Sequence, residues 1–261
     1  MTRLLVTGGT GVLGRAVVTL LSDAGEDVRV LSRRALIDAE RGSSTTMQGD
    51  LTTGAGLMTA LDGVETVIHC ASSPARRTRA TDVDGTQRLV KAARMAGVRH
   101  LVYISIVGID RIPLPYYKAK LDAERAVRTA GPPWSIVRAT QFHSLLRQGL
   151  RLADKLPVVP ILQGMKFQPI APVEVAARLV AVAAGSPTSR IDEMGGPQIR
   201  SLHDITRAYL RATGSHRPTV PVLYLPGKAA RAFRQGANLA PDHAEGVITW
   251  EDYLETTFSH R

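Results

Sequence analysis

The chain has 261 residues, 44% of them apolar, and a formal charge of +10. That length suits one large domain or a domain with a lobe, and that apolar share argues against a disordered chain. No apolar run approaches the roughly 18 residues that a membrane-spanning helix needs; the start, MTRLLVTGG, lacks the apolar core of a secretory signal; and the single Cys70 cannot form an internal disulfide, so a cytoplasmic protein is expected.

Short β-branched runs alternate with helix-period segments. Strands are expected over 4–7, 28–32, 45–48, 66–70, 100–105 and 134–138. Helices are expected over 12–23, near 35–41, and over 55–61, 83–96 and 117–130. Gly25 and Gly97 stand where left-handed caps end helices, and Asp82 stands where it can cap the fourth. This order predicts an α/β fold, a doubly wound parallel sheet of the Rossmann kind. After Ala139 the rhythm breaks. Prolines 157, 160, 169 and 172 and Gly164 predict an irregular or hairpin-like excursion over 141–172. A helix over 173–184, a strand near 190–194 and a helix over 205–213 capped from Ser201 follow. The reading is one Rossmann domain over 1–261, with 141–172 and 195–261 forming a small, mostly helical substrate lobe.

The stretch TGGTGVLG at 7–14 lies between the first strand and the first helix. Glycines there permit a tight turn, close approach of backbone to a pyrophosphate, and tight helix–strand packing. The helix N-terminus then offers free N–H groups and a positive dipole end. Thr7, Gly8, Thr10, Gly11, Val12, Leu13 and Gly14 are thus candidate dinucleotide contacts. The second strand ends Ser32-Arg33-Arg34, with no carboxylate where a free ribose 2′-hydroxyl would be met. Two guanidiniums suit a 2′-phosphate, which favours NADP(H) over NAD(H). Asp50 and Leu51 after the third strand, and Cys70, Ala71 and Ser72 after the fourth, complete the candidate cofactor set. Asp50 could equally cap the following helix, and Cys70 fits packing better than reaction.

Ser105 ends the fifth strand, and Tyr116 and Lys120 are spaced i, i+4, on one face of a helix. Carbonyl reduction needs this chemistry. A phenol holds a proton at neutral pH, a nearby ammonium eases its transfer, and a serine hydroxyl stabilises charge developing on the carbonyl oxygen. Tyr117 rivals Tyr116; Lys118 has the wrong spacing to either and is expected to face solvent. Phe142, His143 and Phe167, with Met165, are candidates for an apolar substrate wall or for lobe core. Between Arg200 and Arg234 seven basic residues stand against Asp204 alone. This reads as a solvated basic face or as an attractor of an anionic ligand, and no nucleic-acid signature accompanies it.

These motifs, Thr7-Gly8-x-x-Gly11-x-x-Gly14, Gly49-Asp50-Leu51, Ser105 and Tyr116-x-x-x-Lys120, resemble the short-chain dehydrogenase/reductase superfamily. Val137-Arg138-Ala139-Thr140-Gln141-Phe142 and Pro172-Val173-Glu174-Val175-Ala176 are similar to segments of its atypical, NmrA-like group. The resemblance implies a catalytic set of Ser105, Tyr116 and Lys120, the last two also touching the cofactor. It implies an NADPH-dependent reductase of a small carbonyl, quinone or conjugated substrate, or else a non-catalytic redox-sensing regulator. One departure stands out: extended members often have Asn before Val-x-Gly-Thr, where this chain has Asp82. A small-molecule partner and a monomer or homodimer are expected, with neither nucleic acid nor membrane as partner.

Overall fold

Valine, isoleucine and leucine fill the strands because a sheet covered on both faces must be apolar throughout rather than alternating. The computed structural model describes residues 2–34, 44–73, 78–223 and 226–259; the helix expected near 35–41 lies outside them. The chain runs β1 (Arg3–Thr7), α1 (Val12–Asp23), β2 (Asp27–Ser32), β3 (Thr45–Gln48), α2 (Leu57–Leu61) and β4 (Thr66–His69). A π-helical stretch, Arg79–Gly85, continues into α3 (Thr86–Met95). Then come β5 (His100–Ile106), α4 (Pro115–Ala130) and β6 (Trp134–Ala139). α5 (His143–Ala153), β7 (Val159–Leu162), β8 (Lys166–Phe167), α6 (Pro172–Ala184) and β9 (Ile191–Met194) follow. The last elements are β10 (Arg200–Ser201), α7 (Leu202–Thr213), β11 (Thr219–Val222), α8 (Lys228–Arg234) and α9 (Trp250–Phe258). None of the described helices is long and apolar enough to cross a membrane.

Seven strands form one sheet in the order β3-β2-β1-β4-β5-β6-β9. The pairs from β3 to β5 are parallel, with Thr7 level with Leu31 on one side and His69 on the other. The order reverses between β1 and β4, and at such a reversal the carboxyl ends of neighbouring strands open a crevice for ligands. This is the doubly wound Rossmann sheet expected from the alternation, and helices dominate the carboxy-terminal part. Gly25 and Gly97 end α1 and α3 with φ of +75° each, as their positions implied.

The chain divides into two compact units. The first holds Met1–Ser105, Pro115–Arg138 and Val173–Asp192; the second holds Ile106–Leu114, Ala139–Pro172 and Glu193–Arg261. In the first, Leu5, Val67, Leu89, Leu101 and Ile136 are fully buried in one apolar cluster, each contributing about 1.5–3 kcal/mol by leaving water. Arg138 and Glu124 form a buried, two-pronged ion pair there, at 2.9 and 2.8 Å. In the second, α5, α7 and α9 pack around Ile205, Tyr209 and Trp250. The Trp250 indole donates to the Ile205 carbonyl at 3.0 Å. Ser201 caps α7 by accepting from Asp204 N, and Thr249 with Asp252 forms a reciprocal capping box on α9.

The excursion at 141–172 is more regular than its prolines suggest. It contains the eleven-residue α5 and two strands. Those strands pair with partners far along the chain, β7 with β11 in parallel and β8 with β10 in antiparallel. The fourth helix also departs from expectation. Asp82 lies inside the π-helical stretch rather than at a helix start, and its side chain leaves the helix.

Glu124→Ala strips the buried Arg138 guanidinium of this carboxylate. A loss of about 3–5 kcal/mol in urea denaturation is expected. A loss below about 1 kcal/mol would rank the pair with exposed ones.

Candidate active site

The glycine turn is built for an anion. Gly8 has φ +71°, and a Cβ there would stand 2.6 Å from Ala71 N, so both the backbone angle and the packing exclude a side chain. A Cβ at Gly14 would press into the Gly8 carbonyl, and one at Gly11 would stand a tight 3.3 Å from the same oxygen. α1 starts after Gly11 with no side chain capping its first N–H groups. Thr10, Gly11 and Val12 are exposed at that end. A bare, uncapped helix start at the switch point of the sheet fits a dinucleotide diphosphate. Leu13, Leu51 and Thr7 are buried, and the Thr7 hydroxyl lies 2.6 Å from His69 Nδ1.

Ser32 is buried at the end of β2, its hydroxyl accepting from Arg34 N at 3.2 Å, while Arg33 and Arg34 are exposed. Asp50 accepts from both the backbone N and the hydroxyl of Thr52 at 2.8 Å, a local turn after β3. Burial pushes the Cys70 thiol up to about 12, which suits packing rather than nucleophilic chemistry.

α4 carries Tyr116 and Lys120 one turn apart, as their spacing implied. Tyr116 is half-buried, and its Oη lies 2.8 Å from Ser72 Oγ. Ser72 Oγ in turn donates to Asp82 Oδ1 at 2.6 Å, and Ser73 N donates to Asp82 Oδ2 at 2.9 Å. Tyr117 is buried and Lys118 exposed. Lys120 is buried; its Nζ donates to the Ile104 carbonyl at 2.8 Å and lies 4.2 Å from the centre of the Tyr103 ring. Burial pulls the Lys120 ammonium down to about 8, against the attraction of Asp82 and Glu124. Burial also raises Tyr116 to about 12, and the Asp82 charge adds to it. In the protein alone, then, desolvation outweighs the easing of the phenol that an i+4 ammonium suggests, and Tyr116 is held as an acid.

Ser105 Oγ is buried at the end of the first unit and has no hydrogen-bond partner among the described residues. Below the site, His69 Nε2 lies 2.9 Å from Thr86 Oγ1, and Thr86 Oγ1 donates to the Asp82 carbonyl at 2.7 Å. Burial and the Lys120 charge hold His69 neutral, its pKa lowered to about 3. In the second unit, His143 is enclosed and stacks on Tyr253 at 5.0 Å beside Trp250, the setting of a core histidine. Phe142 caps α5 half-buried, and Phe167 packs near Phe233 at 6.0 Å. Met165 is buried.

Sequence reasoning named Ser72 only for cofactor contact and Asp82 only as a cap and a departure. Their pairing behind Tyr116 was not anticipated. The signal available was a carboxylate where an amide is usual, three residues ahead of Gly85.

The NAD(P)H-binding family matches residues 8–183, more than half of the chain. A (4-alkanoyl-5-oxo-2,5-dihydrofuran-3-yl)methyl phosphate reductase of Streptomyces griseus is 34% identical, over 90% of this chain and 86% of that protein. A ceramide reductase of Caulobacter vibrioides is also 34% identical, over 67% of this chain and 59% of that one. Among solved structures, the NADPH-dependent quinone oxidoreductase QOR2 of Escherichia coli, complexed with NADPH, superposes with a TM-score of 0.81 at 18% identity, covering 98% of this chain and 99% of the other. At that identity the likeness concerns the fold.

The depressed Lys120 predicts a pH signature. The unfolded chain holds this proton up to about 10.5 and the folded chain releases it near 8, so its contribution makes stability rise with pH between those values. Thermal melts of the wild type and Lys120→Met across that window should converge or diverge steadily, the wild type gaining relative to the variant as pH rises. Parallel curves would mean that Lys120 titrates as it does in water.

The match along residues 8–183, the glycine turn at Gly8–Gly14 and the sheet order agree: this chain belongs to the NAD(P)H-binding family.

Proposed function

We propose that the protein is an NADPH-dependent reductase of a small conjugated carbonyl compound or quinone, with Tyr116 as the proton donor. The observation that carries this reading is the face of α4. It presents a half-buried, protonated phenol to solvent one turn ahead of a buried lysine. The reductase of a conjugated furanone phosphate, similar over most of its length, supports the reaction class.

The nicotinamide, when bound, supplies the hydride. The turn at Gly8–Gly14 and the start of α1 hold the diphosphate, and Arg33 and Arg34 meet the 2′-phosphate. Tyr116 Oη gives its proton to the substrate oxygen as negative charge develops there. Ser105 Oγ donates a hydrogen bond to that oxygen; a buried hydroxyl without a partner costs about 1–3 kcal/mol, and a ligand oxygen relieves that cost. Lys120 supplies a fixed cation beneath the phenol and a donor for the ribose hydroxyls.

The test is NADPH oxidation with a panel of quinones and conjugated carbonyls, alongside calorimetric NADPH binding. Tyr116→Phe should lower kcat/KM by about 10²–10⁴-fold with unchanged NADPH affinity. Turnover indifferent to that change would remove Tyr116 from the mechanism; binding without turnover on any substrate would favour a redox-sensing role. Replacing Arg33 and Arg34 by Ser should cut NADPH affinity on the order of tenfold, about 1.4 kcal/mol, and leave NADH affinity unchanged. An equal loss for both dinucleotides would assign the arginines no part in choosing between them.

A further inference from the structure

We propose that Asp82, acting through the hydroxyl of Ser72, is a positioning residue that keeps the Tyr116 phenol protonated and thereby biases the site toward proton donation. This rests on Tyr116 as the proton donor.

The geometry is a chain of three side chains from three segments. Asp82 comes from the π-helical stretch and is fully buried, Ser72 from the loop after β4, and Tyr116 from the start of α4. Both Asp82 carboxyl oxygens act as acceptors, one from Ser72 Oγ and one from Ser73 N. A serine hydroxyl has a single proton. While Asp82 holds it, Ser72 Oγ is left as an acceptor, and the Tyr116 O–H donates to it. A phenolate would need the opposite polarity, with the Ser72 proton turned toward Tyr116 and away from Asp82. Asp82 and a Tyr116 phenolate therefore compete for one proton, and the carboxylate charge adds direct repulsion.

Among the described residues, the charged and titratable groups that act on this chain are these. α4 contributes Lys120, Glu124 and Tyr117, β5 contributes Tyr103, and the end of β4 contributes His69 and Cys70. Lys120 is the cation among them, and Glu124 shares it with Asp82. An amide in place of Asp82 removes the repulsion and can itself donate to Ser72 Oγ, freeing the serine proton for the phenolate. The departure from Asn at this position is thus a change in the preferred state of the phenol. No net proton needs to pass through Asp82: the phenol proton goes to the substrate oxygen, and exposed Ser72 connects the phenolate to solvent for its replacement.

The test is a ¹⁹F NMR titration of the full chain, free of dinucleotide, carrying a fluorinated tyrosine at position 116. Its phenol ionises low enough for the fold to survive. Asp82→Asn should move that ionisation down by about one pH unit or more. Ser72→Ala, which removes the acceptor that the Tyr116 O–H uses, should also move it down. In the Ser72→Ala background the Asp82→Asn shift should shrink to half or less. Failure of Asp82→Asn to lower the ionisation overturns the proposal, as does a shift of equal size with and without Ser72. If Asp82→Asn does not fold, the exposed Ser72 carries the test: Ser72→Ala must lower the ionisation and Ser72→Thr must restore it, and any other pattern overturns the proposal. In turnover assays of the unfluorinated protein, Asp82→Asn should bring the basic limb of kcat/KM to lower pH. Because the titration uses neither cofactor nor substrate, its failure is distinct from failure of the reductase reading, which NADPH turnover decides.

Discussion

An ammonium taken out of water must be compensated by its surroundings, and around Lys120 that requirement organises the first unit's site. The Ile104 carbonyl accepts from it, the face of Tyr103 lies beside it, and Asp82 and Glu124 supply negative charge. Each compensating group is tied down in turn. Glu124 is gripped by Arg138, Asp82 by Ser72 and Ser73, and His69 stays neutral between two threonine hydroxyls. The result is a polar seam through an apolar core, in which each group's charge state depends on its neighbours'. Low polarity strengthens every such contact and penalises every broken one. The phenol at its upper end inherits that rigidity.

The first unit was legible because its signals are local. A run such as Leu4–Thr7 followed by closely spaced glycines and a helical period admits few readings, and the caps at Gly25 and Gly97 behave as their positions imply. Tyr116 and Lys120 share a helix face by spacing alone. The second unit was far less legible because its order is imposed at a distance. β7 contains Pro160, follows Pro157 and becomes a strand by pairing with 219–222, and β8 is two residues long. Local propensity yields to such pairing.

Asp82 shows a third kind of illegibility. As a residue ahead of a helix it reads as a cap, since a short carboxylate before a helical run normally turns back to the backbone. The widened π-helical turn carries it inside the helix, and the side chain then serves the loop after β4. π-type turns are rare and often accompany functional sites; nothing in a single sequence announces one. The second use of Ser72 stayed hidden for the converse reason: a small residue after a strand suggests room for a ligand and does not announce the use of its hydroxyl.

The second unit's strands have a consequence for the newborn chain. β7 waits for a partner some sixty positions later, and His143 waits for Trp250 and Tyr253, over a hundred positions later. During synthesis the dinucleotide-binding part can collapse on its own contacts while the apolar faces of α5 and β7 stand uncovered. Distant pairings close slowly because loop entropy must be met before contacts repay it. The vulnerable period for the growing chain is therefore the interval between translation of α5 and release of α9.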